Sequence, residues 1–141
     1  MTRLAILGFG LIGGSVALAA RAARTGLHIT AIDRAGVLAS AEAQRVADAR
    51  VDVADSLGAA RALADSTLTV LAAPVSVIGE RVAWALEHAA IVTDCGSTKR
   101  GVVAEARKSA QLSRFVPRHP MAGLPEGGIR NATADLFRDR T

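Results

Sequence analysis

The 141-residue sequence has no tyrosine, one tryptophan and three phenylalanines, so that aromatic residues make up only 3% of it. Hydrophobic residues nevertheless account for 50%. We therefore expect a core of Ala, Val, Leu and Ile, which is typical of helices packed closely on a parallel sheet. The single Cys95 excludes an internal disulfide. We recognise no signal peptide, and no apolar run approaches the roughly eighteen residues of a membrane span, so the default prediction is a cytoplasmic protein.

The chain is basic without a concentrated basic region. It has 17 Lys and Arg against 13 Asp and Glu, a formal net charge of +4. Such a balance can indicate nucleic-acid binding, but the basic residues are scattered and the few aromatic residues are not interleaved with them. We predict no nucleic-acid partner, no membrane association and no metal site.

Short apolar runs alternate with alanine-rich amphipathic stretches along the chain. Predicted strands cover residues 4–7, 28–33, 51–53, 67–72, 90–93 and 115–116, and predicted helices cover 11–24, 36–47, 56–64, 75–88 and 98–110. This alternation implies right-handed crossovers and a parallel sheet covered on both faces. We predict a single α/β domain over residues 1–141, a doubly wound parallel sheet with a dinucleotide at its carboxyl edge.

The most informative motif is the segment 8–15, GFGLIGGS, between the first predicted strand and the first predicted helix. In a dinucleotide-binding fingerprint, Gly8 permits the tight exit from the strand and Gly10 lets the backbone approach a pyrophosphate. Gly13 lets the helix pack close to the sheet. The motif therefore predicts a dinucleotide site at the start of the first helix.

The same site is expected to include the helix amides near Leu11 and Ile12, which face the pyrophosphate and are aided by the helix dipole. Asp33 ends the second predicted strand, at the spacing of about twenty residues expected for the acid that reads the ribose. Its carboxylate repels a 2′-phosphate and so favours NAD over NADP. Arg34 could pair with a 2′-phosphate, stack on adenine or be solvated. We predict NAD as the cofactor, with NADP less favoured.

Two later segments leave the carboxyl ends of the fifth and sixth predicted strands. They are TDCGSTK, residues 93–99, and RHPMAG, residues 118–123. In a doubly wound sheet both would reach the edge where the reactive end of the cofactor lies.

Together, residues 8–15, Ala73-Pro74-Val75, Asp94, residues 96–99 and residues 119–123 resemble the prephenate and arogenate dehydrogenases of tyrosine biosynthesis. The resemblance spans essentially the whole chain. It implies a Rossmann-type fold that oxidatively decarboxylates prephenate to 4-hydroxyphenylpyruvate, or arogenate to tyrosine, with hydride passing to the nicotinamide. Ala73 and Pro74 close the fourth predicted strand, and we count both among the cofactor-binding residues.

The resemblance also implies catalytic roles for His119 and Ser97. The matching family histidine accepts a hydrogen bond from the substrate hydroxyl and helps remove its proton, and the matching serine helps to orient the substrate and the histidine. A neutral imidazole suits the first role, because hydride loss from a carbinol carbon needs a base. Alternatives stay open: Ser97 as a helix cap, Asp94 as a cap of its loop, and Lys99 as a ligand contact or a solvated side chain. Cys95 is interpreted as a small buried filler.

The sequence departs from the family pattern in two places. Pro125 stands where many members have a glutamate, with Glu126 one place later, which leaves the substrate preference open. In the family, a helical second domain supplies an arginine for the substrate carboxylate and most of the dimer interface. We expect this domain to lie on a missing segment or on another chain. The chain stops soon after an amphipathic turn at residues 132–137, as though truncated after about residue 138.

We therefore expect this domain alone to bind NAD weakly and to turn over prephenate negligibly. A homodimer or a separate helical-domain chain is the expected partner. Two alternatives remain at this stage, a nucleotide-binding module without turnover, and another dehydrogenase with this fold, of the imine or 3-hydroxy-acid reductase type.

Overall fold

The computed structural model describes residues 2–140. Thr141, which belongs to the segment after residue 138 where truncation is predicted, lies outside the described residues. The strands are β1 Arg3–Leu7, β2 His28–Asp33, β3 Ala49–Asp52, β4 Leu68–Leu71, β5 Val92–Asp94 and β6 Phe115–Val116. The helices are α1 Leu11–Ala23, α2 Ala35–Leu38, α3 Ala41–Val46, α4 Ser56–Ala64, α5 Val75–His88 and α6 Lys99–Ala106. Short 3-10 helices cover Leu112–Arg114 and Ile129–Asn131.

The six strands form one sheet in the order β3-β2-β1-β4-β5-β6, and every neighbouring pair is parallel. The order reverses direction between β1 and β4. In sheets of this kind a crevice opens at that point, outside the carboxyl ends of the strands, and it is where ligands bind. The predicted doubly wound α/β sheet is confirmed.

Each face of the sheet has its own apolar core. On one face Ile6 and Ile29 pack with Phe9 from the first strand-to-helix turn. On the other face Ile32 and Leu71 pack with residues of α4, α5 and α6. Full burial of one side chain of this size contributes about 1.5–3 kcal/mol to the free energy of unfolding. Aliphatic side chains can therefore stabilise the fold despite the shortage of aromatic residues.

The prediction of one helix over residues 36–47 is wrong, because Ser40 divides it. Ser40 has an extended backbone, φ −63° and ψ 146°, and its Oγ accepts a hydrogen bond from the amide of Ala43 at 3.2 Å. The same hydroxyl donates to the carbonyl of Val37 at 2.7 Å. A serine at this position satisfies backbone groups at the end of α2 and the start of α3, which stabilises two short helices.

Smaller differences concern boundaries. The third strand covers Ala49–Asp52 rather than 51–53, the fifth ends at Asp94, and α6 ends at Ala106 instead of residue 110. After β6 the chain has no regular element until the 3-10 helix at Ile129, in agreement with the predicted loop. Within residues 2–140, no helix combines the length and the apolar character needed to cross a membrane.

Candidate active site

The turn from β1 into α1 has a shape that only glycine permits. Gly8 has φ +94°, and a Cβ there would lie 2.6 Å from the carbonyl carbon of Ala72 and from the amide nitrogen of Ala73. A Cβ on Gly13 would overlap the carbonyl oxygen of Gly8. Around Gly10, in contrast, a Cβ would meet nothing within 4 Å. The turn is therefore packed tightly towards the protein and open on the side of Gly10, where a ligand can approach the backbone.

Gly10 also precedes the first residue of α1 and supplies no side chain to cap it. The amide groups in the first turn of a helix have no partner within the helix and carry a partial positive charge. Leu11 and Ile12, the first residues of α1, are thus placed to donate to an anion, as the motif predicts.

Asp33 joins the end of β2 to this turn. Its Oδ2 accepts a hydrogen bond from the amide of Phe9 at 2.6 Å, and its Oδ1 accepts one from the amide of Arg34 at 2.7 Å. The side chain of Asp33 is 16% exposed and that of Arg34 is 83% exposed, with the Arg34 Nε at 3.9 Å from Oδ1. Asp33 is held rigidly at the rim, whereas the guanidinium of Arg34 is largely in solvent.

A cavity of about 950 Å³ lies at the carboxyl ends of β1, β2 and β4. Its lining includes Gly8, Gly10, Asp33, Arg34, Ala73 and Pro74. Leu11, Ile12 and Gly13, the other predicted cofactor-binding residues, are not part of the lining and begin α1 behind it. The size is at the upper end of the usual range for ligand pockets. An open glycine backbone and a rim carboxylate on one cavity, with the start of α1 directly after Gly10, fit a dinucleotide, and this cavity is called the nucleotide cleft below.

Sequence reasoning missed several residues of the nucleotide cleft. Glu80 and Arg81 reach it from α5, and residues 127–130 reach it from the C-terminal loop. No local motif marks these positions, because they are brought to the cleft by packing of elements distant in sequence.

Asp94, at the end of β5, holds the two later segments together. Its carboxyl group is fully buried, and Oδ2 accepts from the amide of Gly96 at 2.9 Å and forms an ion pair with Lys99 Nζ. Oδ1 accepts from the amide of Arg118 at 3.3 Å, which comes from the loop after β6. Asp94 therefore caps its own loop, as one alternative held, and in addition fixes the loop that carries His119. Lys99 is an ion-pair partner of Asp94 in this arrangement.

His119 lies at a second cavity of about 330 Å³, called the histidine cavity below. The lining consists of Val16, Val70, Thr93, Asp94, Cys95, Arg118, His119, Pro120 and Phe137. His119 itself is exposed, and Arg118 provides a positive charge beside it that sequence reasoning missed. Ser97 is exposed in the neighbouring loop and is not part of the lining. The structure thus brings the two segments together through Asp94 but does not place Ser97 in the cavity of His119.

A family profile described as the nucleotide-binding domain of prephenate dehydrogenase matches residues 16–141. The chain belongs to the prephenate dehydrogenase family. The matched region begins after the glycine motif at residues 8–15, so the motif and the profile are separate observations that agree.

Individual relatives support the assignment. Prephenate dehydrogenase of Lactococcus lactis is 30% identical over 145 residues, covering 99% of this chain and 39% of that protein. Prephenate dehydrogenase of Bacillus subtilis is 33% identical over 141 residues, covering 95% and 36%. The chain therefore spans less than half the length of these relatives.

A solved structure agrees with the fold. The crystal structure of prephenate dehydrogenase from A. aeolicus, in complex with hydroxyphenyl propionate and NAD+, matches with a TM-score of 0.85 at 24% identity, covering 99% of this chain and 49% of that one. At this level of identity the likeness confirms the Rossmann-type architecture.

The thiol of Cys95, in the lining of the histidine cavity, has a shifted pKa. Burial, and then the negative charge of Asp94, raise the pKa of its thiol to about 11, while Lys99 acts in the opposite direction. A thiol that stays protonated at neutral pH is a poor nucleophile. This agrees with the interpretation of Cys95 as a filler rather than a catalytic group.

Proposed function

We propose that the chain is the NAD-binding part of a dehydrogenase that oxidatively decarboxylates prephenate or arogenate in tyrosine biosynthesis. One observation carries the proposal: the nucleotide cleft and the histidine cavity both lie at the carboxyl end of β4. Ala72, just after that strand, lines the first, and Val70, within it, lines the second. A cofactor in the cleft and a substrate at His119 would therefore be neighbours, as hydride transfer requires.

The choice of NAD is supported by the position of Asp33. Its carboxylate is fixed by the amides of Phe9 and Arg34 at the rim of the cleft. A fixed negative charge there accepts hydrogen bonds from ribose hydroxyls and repels a 2′-phosphate. The A. aeolicus relative in complex with NAD+ is in agreement. When bound, the nicotinamide supplies the hydride acceptor.

His119 is proposed as the base of the reaction. An imidazole nitrogen accepts the hydroxyl proton of the substrate as the ring carbon loses hydride and its carbonyl develops. Carbon dioxide then leaves, and the proton returns to the oxygen when the ring becomes aromatic. The buried Asp94 positions this histidine indirectly, by binding the amide of Arg118 next to it.

Ser97 is proposed to orient the substrate and His119. Its loop is attached through Gly96 to the same Asp94 carboxylate that holds the His119 loop. A small movement of either loop would bring the hydroxyl towards the histidine cavity, and a bound substrate would favour that position because it contacts both.

The exposure of His119 and Ser97 indicates that substrate chemistry needs a further covering surface. A site open to water loses much of its electrostatic and orientational advantage. We propose that a helical domain provides this cover, and that these 141 residues alone have negligible turnover. The cytoplasmic location and the pathway predicted from the sequence belong to the same proposal.

The test has two measurements. Titration calorimetry of the 141-residue chain with NAD+ and NADP+ should give tighter binding of NAD+, and tighter binding of NADP+ would overturn the cofactor assignment. NADH formation from prephenate and from arogenate is then measured with the chain alone and with a helical-domain chain. We expect turnover only in the mixture. Robust turnover by the chain alone would contradict the need for cover, and cofactor binding without turnover in any mixture would favour a non-catalytic module.

A further inference from the structure

Residues 126–133, called the strap below, lie across α1 beside the nucleotide cleft. Ile129 of the strap is buried in the core that contains Phe9 and Ala17. The amide of Thr133 donates a hydrogen bond to Oγ of Ser15 at 3.1 Å, although the two residues are 118 positions apart. The strap is therefore attached to the start of α1 by an apolar anchor and a polar contact.

Two small residues of the glycine motif make this attachment possible. A Cβ on Gly14 would collide with Cδ1 of Ile129 and lie 2.9 Å from the Cβ of Ala132. Ser15, the next residue, is fully buried. Gly14 and Ser15 stand beyond the three glycines of the fingerprint, and in this chain they form the surface on which the strap packs.

The strap is also closed on itself. The side-chain amide of Asn131 donates to the carbonyl of Gly127 at 2.8 Å. Gly128 has φ +93°, a value that side-chain-bearing residues rarely adopt. The turn is thereby held in one shape, and the backbone that precedes Ile129 is directed along the cleft.

The strap reaches the ligand side of the cleft. Gly127, Gly128, Ile129 and Arg130 line the same cavity as Gly8 and Gly10. Arg130 is exposed, and among residues 2–140 its guanidinium has no carboxylate partner. An arginine in this setting is available to a ligand, and the guanidinium group is well suited to phosphate.

We propose that the strap is part of the dinucleotide site and that Arg130 binds a phosphate of the cofactor. The inference rests on the proposed function, since it assumes that a dinucleotide occupies the cleft. The phosphate would then receive hydrogen bonds from the amides at the start of α1 on one side and from Arg130 on the other. Ile129, seated on Gly14, fixes the distance between the two.

The first test compares Arg130→Gln with Arg107→Gln, an exposed arginine outside the cleft lining. Calorimetry is run with NAD+, with ADP-ribose, and with adenosine, which has no phosphate. We expect Arg130→Gln to weaken NAD+ and ADP-ribose binding by about tenfold or more and to leave adenosine unaffected, since a charge-assisted hydrogen bond is lost. Arg107→Gln should match the unchanged chain for all three.

Equal affinity of Arg130→Gln and the unchanged chain for ADP-ribose would overturn the inference and leave the proposed function intact. An equal loss for adenosine would also overturn it, because the effect would not concern the phosphate. Failure of the unchanged chain to bind any dinucleotide would overturn the proposed function together with the inference.

The second test addresses the strap itself by amide hydrogen exchange. NAD+ should slow exchange at residues 127–133 of the unchanged chain, and an unchanged exchange rate there would contradict the inference. Gly14→Ala should speed exchange at Thr133 and weaken NAD+ binding, because Ile129 is displaced. Gly101→Ala is the matched control, since a Cβ at this helical glycine of α6 meets nothing within 4 Å.

Discussion

The nucleotide cleft and the histidine cavity are built in different ways. At the cleft, Asp33 joins β2 to the neighbouring turn through the amide of Phe9, its other oxygen accepts from the amide of Arg34, and the glycine motif is a single continuous segment. At the histidine cavity, loops after β5 and β6 depend on one fully buried carboxylate, that of Asp94. The cleft is defined by close backbone packing, whereas the histidine cavity depends on one ionic cluster and leaves its chemical groups exposed.

This difference separates binding from chemistry. A backbone amide keeps its N–H when a side chain is replaced, so outside the tightly packed glycines a dinucleotide site made of amides tolerates substitution at its rim. At the histidine cavity, one carboxylate binds Gly96, Lys99 and Arg118, so a single substitution of Asp94 removes all three contacts. We therefore expect single substitutions to have larger effects at the histidine cavity than at the cleft.

The largest effect is expected for His119→Asn. In the chain assembled with a helical substrate domain, NADH formation should fall by about 10²–10⁴-fold, because the base for the substrate hydroxyl is lost. NAD+ affinity measured by calorimetry should stay the same. His28→Asn, at the opposite end of the sheet, should leave both quantities unchanged. An unaltered rate for His119→Asn would show that the histidine cavity is not the catalytic site.

A smaller effect is expected for Asp94→Ala on the free energy of unfolding, measured in urea by circular dichroism. Removal of this buried carboxylate should cost about 3 kcal/mol, because the Lys99 ammonium and two amides lose their partner. The Lys99 side chain is 31% exposed, so its ammonium can be partly hydrated, which places the cost at the lower end of the range for buried pairs.

The control for Asp94→Ala is Asp135→Asn, which breaks an exposed ion pair. The side chain of Asp135 is 64% exposed and that of its partner Arg138 is 73% exposed. Asp135→Asn should cost at most about 0.5 kcal/mol. Adding Lys99→Met to Asp94→Ala should recover part of the loss, since no unpaired charge then remains. Equal costs for Asp94→Ala and Asp135→Asn would mean that Asp94 does not hold the two loops.

The next effect concerns Cys95 and pH. Burial and then Asp94 raise the pKa of its thiol from 9.0 to about 11. Below pH 9 the thiolate fraction of Cys95 is therefore about a hundredfold smaller in the folded chain than in the unfolded chain. Iodoacetamide should alkylate the folded chain more slowly than the chain in urea by about this factor. The raised pKa also favours the fold below pH 9, and this contribution is lost as the pH rises through about 11.

Asp94→Asn is the informative variant in the alkylation experiment. Loss of the neighbouring negative charge should lower the pKa of Cys95 and speed its alkylation at pH 8, with Lys99 now unopposed. Equal alkylation rates in the folded and the unfolded chain would show that Cys95 is not buried as described.

The parts of the molecule that follow from the sequence are those specified locally. The glycine motif, Asp33 and the alternation of apolar runs predict the sheet and the position of the cleft, because each depends on neighbouring residues and on strand period. The division of residues 36–47 into two helices is also marked locally, since serine before a helical pattern, here Ser40, is a typical cap.

The parts that could not be predicted depend on contacts between distant segments. The strap packs on Gly14 through Ile129, and no period or spacing connects them. Likewise, the bond from the amide of Arg118 to Asp94 joins loops 24 positions apart. The predicted catalytic role of His119 comes from the family resemblance, because no spacing within this chain marks a lone exposed histidine as a base.

The smallest effect is expected for Asp33→Asn, at the cleft. The Asn side chain has a single oxygen, so it can replace the Asp33 acceptor for the backbone amide of Phe9 or for that of Arg34, but not both acceptors. The negative charge is also lost. NAD+ affinity should fall by about tenfold and NADP+ affinity should fall less, because repulsion of the 2′-phosphate disappears. Asp52→Asn is the matched control, since Asp52 ends the neighbouring strand in register with Asp33 and does not line the cleft. If both variants shift the ratio of NAD+ to NADP+ affinity equally, the rim charge does not select the cofactor, and the glycine backbone alone accounts for binding.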